Sequence, residues 1–370
     1  MQQIHSNEDR RWMDRALRLA ARGEGSTRPN PPVGALVVRG RRRVGAGYHA
    51  RCGEVHAEVA ALRQAGAQAR GATLYVTLEP CSSTGRTPPC ADAVIAAGVS
   101  RVVVAVKDPN PLHSGRGLRK LSTAGVEVKC GVCETEADRL ITPFRKWIIS
   151  GKPYLTLKLG MTADGRIADA EGRSRWITCT ASRAAVHAMR RRCDAVLVGR
   201  GTAEHDNPSL LAPGDSEDRL WRVVVDSTGR LPPELKVFSD DHRRQTILAT
   251  TARCSAARRD RFRKKGVTVW SLPARAGRVS LKALCGRLGK MGLLHILCEG
   301  GGELAGGLVD ADLVDEYIFF IAPKLLGGSS RGALEGKGWM LGREPRLRFT
   351  ECGRVGDDIM VKAEPCSRES

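Results

Sequence analysis

Aromatic side chains are scarce in this chain of 370 residues, of which only 4% are Phe, Trp or Tyr. Acidic residues are also outnumbered, since 40 Asp and Glu stand against 60 Lys and Arg, for a formal net charge of +20. Such a charge attracts anions, and both nucleic acid and phosphorylated metabolites satisfy it. Proteins that bind single-stranded nucleic acid usually stack its bases on aromatic rings. The lack of such rings therefore favours phosphorylated metabolites as partners.

Long apolar runs and ordered cysteine spacings are absent as well. No apolar run approaches the length of a membrane span, no cleavable apolar leader is recognisable, and the 12 cysteines form no disulfide framework. We therefore expect a protein of the reducing cytoplasm with free thiols. Cys130 and Cys133 have the spacing of a redox or zinc motif, but no partner pair accompanies them. We interpret both as core or surface thiols.

A histidine and two cysteines in the first half are the residue types of a zinc site. His56 opens the sequence His-Ala-Glu, and Cys81 and Cys90 delimit the loop Pro-Cys-Ser-Ser-Thr-Gly-Arg-Thr-Pro-Pro-Cys. One imidazole and two thiolates fill three corners of a tetrahedral zinc and leave the fourth for water, which is typical of catalysis. The pattern matches the zinc deaminase signature H-x-E…P-C-x-x-C, except that the cysteines stand nine positions apart.

Glu58 follows the histidine by two residues and is the predicted proton shuttle. Hydroxide generated at the zinc would attack an amidine-like ring carbon, and Glu58 would carry the water proton to the ring nitrogen and then to the departing ammonia. On an ideal helix His56 and Glu58 point to different sides, so they converge only if the pocket lies beyond the helix end. Two other interpretations stay open: a structural zinc completed by His49 or Cys52, and thiols packed in a core.

Strands alternate with helices along the first half, which predicts a sheet covered on both faces. A helix capped at Ser6 or Asn7 precedes a hairpin of strands 35–38 and 44–49. The later predicted elements are helices 56–65, 90–97, 116–124 and 134–149, and strands 73–78, 101–106 and 126–132.

The sequence changes character at residues 150–153, Ser-Gly-Lys-Pro, where a second series of strands and helices begins. We place a domain boundary there, which gives domains of residues 1–150 and 151–370. Strands of the second domain are predicted at 154–159, 195–198, 222–225, 246–249, 267–270, 295–298, 317–321 and 358–363. This pattern is typical of a complete α/β domain.

Two glycine-rich loops of the second half each follow a predicted strand. Residues 299–307 read Glu-Gly-Gly-Gly-Glu-Leu-Ala-Gly-Gly, and residues 199–202 read Gly-Arg-Gly-Thr. Residues without side chains let an anion approach the backbone N–H groups at a helix N-terminus. The fit to the dinucleotide motif is weak, because no clear ribose-binding acid on a following strand completes it. Two such loops on one sheet nevertheless favour a phosphate-rich ligand.

Taken together, the motifs resemble a known family, the bifunctional riboflavin-biosynthesis deaminase/reductases. The resemblance covers about residues 8–365 and rests on HAE, PCSSTGRTPPC, LKLGMTADGRIA, SRWIT, VGRGTAEHDNP, VVVDS, EGGGELAGGL and VDEYIFFIAPKLLGG. It implies an α/β fold with an N-terminal cytidine-deaminase-like α/β/α sandwich that binds zinc. It also implies a C-terminal dihydrofolate-reductase-like α/β domain that binds NADPH.

The resemblance implies two successive reactions. The first is hydrolytic deamination of 2,5-diamino-6-ribosylamino-pyrimidinone 5'-phosphate. The second is NADPH reduction of the ribosyl group of 5-amino-6-(5-phosphoribosylamino)uracil to ribityl. We expect NADPH to be preferred over NADH, because the basic surroundings of residues 199–202, including Arg200, suit a 2'-phosphate.

The resemblance also implies roles for individual residues. It assigns zinc to His56, Cys81 and Cys90 and the proton shuttle to Glu58. It assigns deaminase substrate contacts to Asn30, His49 and Arg86. It assigns reductase substrate contacts to Lys158, Ser174, Arg190, Leu210 and Glu299. It assigns NADPH contacts to Gly160, Trp176, Thr202, Asp206, Ser227, Gly301, Gly302, Glu303, Leu304, Ala305, Gly306 and Gly307.

Two positions depart from the family pattern. This chain has Ser83 where the family usually has a histidine, and Pro213 where it usually has an arginine. Both family residues are expected phosphate contacts. Either Arg86 and Arg190 suffice, with Arg219 as a substitute, or the substrate is altered.

Two other functions compete with this assignment. One is a zinc deaminase of tRNA or another nucleotide, with a divergent reductase-like domain; the cysteine spacing and the paired reductase motifs count against it. The other is a non-catalytic binding protein stabilised by zinc. We expect small phosphorylated pyrimidines as partners, without nucleic acid or membrane, and a homo-oligomer stays open.

Overall fold

The computed structural model describes residues 6–83, 88–213 and 219–366. The chain divides into two compact units, Met1–Gly151 and Lys152–Ser370. Within the described residues, no helix is both long and apolar enough to cross a membrane.

The first unit is built on a five-stranded mixed sheet. Its strands are β1 (Gly34–Arg39), β2 (Arg42–Tyr48), β3 (Thr73–Leu78), β4 (Arg101–Val106) and β5 (Glu127–Cys130). Its helices are α1 (Asn7–Ala20), α2 (Ala57–Ala65), α3 (Cys90–Ala96), α4 (Arg116–Thr123) and α5 (Glu134–Ser150), with 3-10 turns at Ala21–Gly23 and Gly66–Ala69. The strand order is β2-β1-β3-β4-β5, in which β1 is antiparallel to both neighbours and the last three strands are parallel.

Helices cover both faces of this sheet. On one face α2, α3 and α4 pack on the strands through small side chains such as Ala61 and Val94. On the other face α1 and α5 pack through Met13 and Ile141. These layers confirm the α/β/α sandwich predicted from the alternation of strands and helices.

The second unit carries more and shorter elements. Its strands are β6 (Tyr154–Thr162), β7 (Arg166–Ala168), β8 (Ala195–Gly199), β9 (Trp221–Val225), β10 (Thr246–Thr250), β11 (Thr268–Ser271), β12 (Ala274–Arg275), β13 (Arg278–Val279), β14 (His295–Cys298), β15 (Glu316–Ala322), β16 (Arg331–Gly332), β17 (Leu347–Val355) and β18 (Asp358–Pro365). Its helices are α6 (Thr180–Arg192), α7 (Arg200–Asp206), α8 (Lys236–Ser239), α9 (Ala256–Lys264), α10 (Leu281–Lys290) and α11 (Gly302–Asp310), with a 3-10 turn at Arg243–Gln245.

A single nine-stranded sheet organises this unit, in the order β11-β10-β9-β8-β14-β6-β15-β18-β17. All neighbouring pairs from β11 to β15 are parallel, and the last two strands are antiparallel additions. The parallel strands are largely buried, which explains their continuous apolar runs. Because parallel strands end at a common edge, the loops after β8, β9, β10 and β14 meet there, and this edge is where such sheets bind ligands.

Some elements differ from those predicted. Strand β17 was not predicted, because seven of its nine residues are exposed and its sequence shows no apolar alternation. The strand predicted at 126–132 is shorter and covers only Glu127–Cys130. The helix predicted at 56–65 begins one residue later, and that residue matters for the site described next.

Candidate active sites

Three elements of the first unit bring a histidine and two cysteines together. His56 is the residue that precedes α2, Cys81 lies just beyond the end of β3, and Cys90 is the first residue of α3. The His56 Nδ1 atom lies 3.1 Å from the Cys90 Sγ and 3.8 Å from the Cys81 Sγ. All three potential ligand atoms lie within 4.8 Å of one another. The cluster is therefore compact enough for one metal ion.

The donor set fits zinc. Ideal Zn–N and Zn–S bond lengths in a tetrahedron place nitrogen and sulfur about 3.6 Å apart, and the observed separations lie on either side of this value. Within the described residues, the metal-competent group contains these three side chains and no fourth. His49, a potential fourth ligand, has its two ring nitrogens next to Asn30 Nδ2 and the Val55 carbonyl oxygen. The geometry therefore matches an open, catalytic type of site more closely than a closed, structural one.

Glu58 is buried beside the cluster, with only 4% of its surface exposed. His56 has extended backbone angles and stands before the helix, so the ideal-helix separation of the two residues does not apply. The Glu58 carboxylate is within hydrogen-bonding reach of Cys90, and burial raises the pKa of Glu58 to about 7. Its side chain thus converges with the metal ligands, as a proton shuttle requires.

The residues predicted to contact the deaminase substrate lie partly beside this cluster. Asn30 and His49 are hydrogen-bonded to each other at 3.1 Å, and the ring of His49 meets that of His56 edge-on at 5.3 Å. Burial lowers the pKa of His49, so its imidazole is neutral near pH 7. Arg86 lies outside the described residues.

One buried carboxylate near the cluster was not singled out from the sequence. Glu79 lies between β3 and Cys81 and is 4% exposed. Its two oxygens accept hydrogen bonds from four backbone N–H groups, those of Asp108, Gly115, Gly117 and Leu118, at 2.8 to 3.3 Å. Glu79 therefore ties the segment of Cys81 to the loop that precedes α4. An acidic residue that ends a buried strand was the one sequence signal that could have identified it.

Ser83 also contacts that loop. Its hydroxyl lies 3.3 Å from the Nδ1 atom of His113. An imidazole is thus present near position 83 although the chain lacks the histidine expected there.

In the second unit, a cavity of about 470 Å³ opens at the carboxyl edge of the parallel strands. Of the residues predicted to bind cofactor or substrate, those that line it are Ser174, Thr202, Asp206, Ser227, Gly301, Gly302, Glu303, Leu304 and Gly307. Both glycine-rich loops therefore face one space. The volume is within the usual range of a cofactor site.

The loop before α11 has the form of an anion cradle. Gly300 and Gly301 have φ angles of +100° and +87°, which side chains rarely tolerate. A Cβ atom on Gly301 would lie 3.2 Å from the Thr202 hydroxyl, and one on Gly302 would lie 2.7 Å from the Gly332 carbonyl oxygen. Bare amides at the start of α11 thus stand beside a hydroxyl, which suits a pyrophosphate. The donor set fits a dinucleotide.

Other predicted cofactor residues take different positions. Ala305 is fully buried, and a Cβ atom on Gly306 would lie 2.0 Å from the Glu335 carbonyl oxygen, so both serve close packing of α11. Trp176 is 61% exposed, and the Arg183 guanidinium lies 4.5 Å from its ring centre. Gly160, in β6, faces Thr178, whose methyl group would lie 3.2 Å from an added Cβ atom.

Three of the five predicted reductase substrate residues, Lys158, Arg190 and Glu299, form a buried charged cluster. Arg190 Nε and Nη2 donate to the two Glu299 oxygens at 2.5 and 2.8 Å, and Lys158 Nζ lies 3.6 Å from Glu299 Oε2. Burial alone would raise the pKa of Glu299, but the two cations hold it at about 2. Arg190 Nη1 also donates to the Leu211 carbonyl oxygen, which commits this guanidinium to the protein. Leu210 lies in the apolar core with φ +62°.

Comparison with known proteins covers both units. A family model described as the RibD C-terminal domain matches residues 153–361, and one described as the cytidine and deoxycytidylate deaminase zinc-binding region matches residues 6–106. The riboflavin biosynthesis protein RibD of Escherichia coli K12 is 43% identical over 368 residues, which are 96% of this chain and 98% of that protein. The chain belongs to the RibD family. It is accordingly a bifunctional riboflavin-biosynthesis enzyme, a zinc-dependent deaminase and an NADPH-dependent reductase.

Solved structures agree over nearly the whole chain. A RibD structure from Acinetobacter baumannii is 38% identical with a TM-score of 0.87, over 97% of this chain and 99% of that chain. A Thermotoga maritima structure, named as a diaminohydroxyphosphoribosylaminopyrimidine deaminase and 5-amino-6-(5-phosphoribosylamino)uracil reductase, is 33% identical with a TM-score of 0.86 over the same shares. These likenesses confirm both predicted fold types. They favour neither a tRNA deaminase nor a non-catalytic zinc protein.

Proposed function

We propose that the first unit deaminates 2,5-diamino-6-ribosylamino-pyrimidinone 5'-phosphate, and that the second reduces 5-amino-6-(5-phosphoribosylamino)uracil at its ribosyl group to give ribityl. The observation that carries the proposal is the convergence of His56, Cys81 and Cys90 with buried Glu58 in the same chain as a dinucleotide-sized cavity. The name of the Thermotoga maritima relative supports these substrates.

In the first unit, His56, Cys81 and Cys90 would hold zinc. When bound, zinc supplies the Lewis acidity that activates water. Glu58 would move one proton from the attacking water to the ring nitrogen. It would then move the proton of the new hydroxyl group to the amino group, which leaves as ammonia while a C–O bond replaces the C–N bond. The hydrogen-bonded pair of Asn30 and His49 orients the pyrimidine. Arg86 and the pair of Ser83 and His113 complete the surroundings of the substrate.

In the second unit, the cavity at the carboxyl edge of the parallel strands would hold NADPH, which supplies the hydride. The glycine loop before α11, with Thr202, would hold its pyrophosphate, and Ser227 would contact its adenosine half. Lys158, Ser174 and Glu299 would contact the substrate, whereas the side chain of Leu210 lies in the apolar core. Arg190 acts on the substrate through Glu299, because its guanidinium is already held by that carboxylate and by a backbone carbonyl.

Each activity belongs to its own domain, residues 1–150 and 151–370, in a cytoplasmic enzyme whose partners are small phosphorylated pyrimidines. The division of the chain into two compact units supports this separation. Neither set of predicted site residues contains a member from the other half of the sequence.

The proposal is tested by incubating the purified chain with zinc, the diaminopyrimidinone phosphate and NADPH. We expect ammonia release and NADPH oxidation in equal amounts. With NADPH omitted, ammonia release should continue and the deaminated ribosylamino compound should accumulate. Turnover of tRNA but not of the pyrimidine phosphate would instead support the nucleic-acid deaminase.

A further inference from the structure

One end of the second-unit cavity is basic and was not predicted from the sequence. Ser227 and Thr228, which follow β9, line this end together with Arg253, which follows β10, and Arg278 of β13. The glycine loop before α11 follows β14, which lies two strands from β9 and three strands from β10 in the sheet. If the pyrophosphate lies at the glycine loop, the adenosine half extends toward these basic residues.

Hydrogen bonds join the basic end into one unit. The Thr251 hydroxyl donates to the Ser227 carbonyl oxygen at 2.7 Å and accepts from the Arg253 backbone N–H at 3.2 Å. Arg253 Nη1 donates to the Gly277 carbonyl oxygen at 3.0 Å, and the Val279 N–H donates to the Ser227 hydroxyl at 3.0 Å. Ser227 and the Arg253 guanidinium are thereby fixed on the same short stretch of cavity wall.

These contacts leave donors available for an anion. The Ser227 hydroxyl accepts from Val279, so its own proton is free to be donated. Within the described residues Arg253 pairs with no carboxylate, whereas Arg200 pairs with Glu204 at 4.0 Å and Arg278 with Glu303 at 3.4 Å. Among these three cavity arginines, Arg253 therefore has its charge least neutralised.

The acid that would favour NADH is engaged elsewhere. Enzymes that use NAD commonly bind the adenosine ribose hydroxyls with a carboxylate near the end of a strand. Enzymes that use NADP bind the 2'-phosphate at this place with an arginine. Asp226 occupies such a position directly after β9, but it is only 2% exposed. Its carboxylate accepts from the Thr228 N–H and hydroxyl and from the Leu231 N–H, at 2.9 to 3.3 Å. These bonds hold the carboxylate in its own loop, and its burial limits its contact with a ligand in the cavity.

We propose that Arg253 and Ser227, with Arg278 at the rim, form the subsite for the 2'-phosphate of NADPH and select NADPH over NADH. The inference rests on the proposed placement of the dinucleotide in this cavity. It assigns to Arg253 the 2'-phosphate contact that was predicted for Arg200, which lies 53 positions earlier in the chain.

Equilibrium binding of NADP⁺ and NAD⁺ to the full-length protein, measured by calorimetry, tests the subsite without turnover. Arg253→Gln removes one charged donor and should weaken NADP⁺ binding by about ten- to a hundred-fold, the usual worth of a hydrogen bond to a charged group. NAD⁺ binding should stay unchanged. Adenosine 2',5'-bisphosphate should lose affinity by a similar factor, while adenosine 5'-monophosphate should not. The matched control is Arg261→Gln, at an exposed position on α9, which should change neither affinity.

A second variant separates failure of the subsite from failure of the cavity assignment. Thr202→Ala, at the glycine-loop end, should weaken NADP⁺ and NAD⁺ alike. If it does so while Arg253→Gln leaves the ratio of the two affinities unchanged, the 2'-phosphate binds elsewhere and the inference is wrong. If neither variant affects either dinucleotide, the cavity is not the NADPH site and the proposed function of this cavity fails with it.

Discussion

Replacing Glu79 with glutamine should damage the deaminase without touching a zinc ligand. The carboxylate accepts four backbone hydrogen bonds, two at each oxygen. A glutamine keeps one acceptor oxygen and turns an NH₂ group toward the two remaining N–H donors. Hydrogen bonds to charged groups contribute about 1.5–3 kcal/mol each, so losing two should cost about 3–6 kcal/mol. That is a large part of the stability of a typical domain.

The effect should extend to the metal because Glu79 is two residues from Cys81. We expect zinc affinity, measured by competition with a chelator, to fall about ten- to a hundred-fold, the range seen when residues that orient ligands are removed. Thermal unfolding of the full chain should show an earlier transition for the first unit. NADPH oxidation with the already deaminated substrate should be unchanged.

Glu127→Gln is the matched control, since Glu127 is a carboxylate of the same unit that is largely exposed and paired with Arg101. It should leave zinc affinity and ammonia release near those of the unchanged protein. A Glu79→Gln protein with normal zinc affinity and a normal first unfolding transition would refute the reasoning. The four hydrogen bonds would then contribute neither to the position of Cys81 nor to the stability of the first unit.

Three further outcomes are expected. Cys90→Ser should lose most of its zinc in metal analysis, because a three-ligand site cannot keep its affinity without one thiolate; full retention would contradict the ligand assignment. Glu58→Gln should keep zinc and fold but release ammonia about 10²- to 10⁴-fold more slowly, while NADPH oxidation with the deaminated substrate stays normal; loss of both activities in a folded protein would point to a shared site. Burial lowers the pKa of His295 to about 4, against about 6.5 when unfolded. The stability that the neutral imidazole contributes is therefore complete above about pH 6.5, and the free energy of unfolding should fall by about 3 kcal/mol between pH 6.5 and pH 4. His295→Gln should remove this pH dependence. An unchanged pH dependence of calorimetric unfolding in the variant would contradict the prediction.

The cluster of one histidine and two cysteines could be predicted because zinc chemistry restricts residue type so strongly that a few positions suffice. His56, Cys81 and Cys90 were found by type and order alone, even with an unusual cysteine spacing. The direction of Glu58 could not be predicted, since it depends on the helix beginning after His56. The parallel strands were found because burial on both faces leaves unbroken apolar runs, whereas exposed β17 left no such pattern.

The contacts that were not predicted join segments far apart in sequence. The hydrogen bonds that Glu79 accepts are donated by residues 29 to 39 positions later. Nothing in the local sequence of either segment indicates them. The basic part of the second-unit cavity likewise combines residues that follow different strands. Arg253 belongs to a stretch rich in arginine, and only the fold shows that Arg253 lines the cavity while Arg258 and Arg261 do not.

The contact between Gly117 and the zinc loop limits how this protein can vary. A Cβ atom at position 117 would lie 2.0 Å from the Pro80 carbonyl oxygen, one residue before Cys81. Even alanine would therefore have to displace the backbone that carries a metal ligand. The first turn of α4 and the cysteine loop are therefore expected to vary together. A larger residue at this contact on either side requires a matching change on the other. Variation in the deaminase should therefore come in pairs from these two segments, although Gly117 follows Pro80 by 37 positions in the chain.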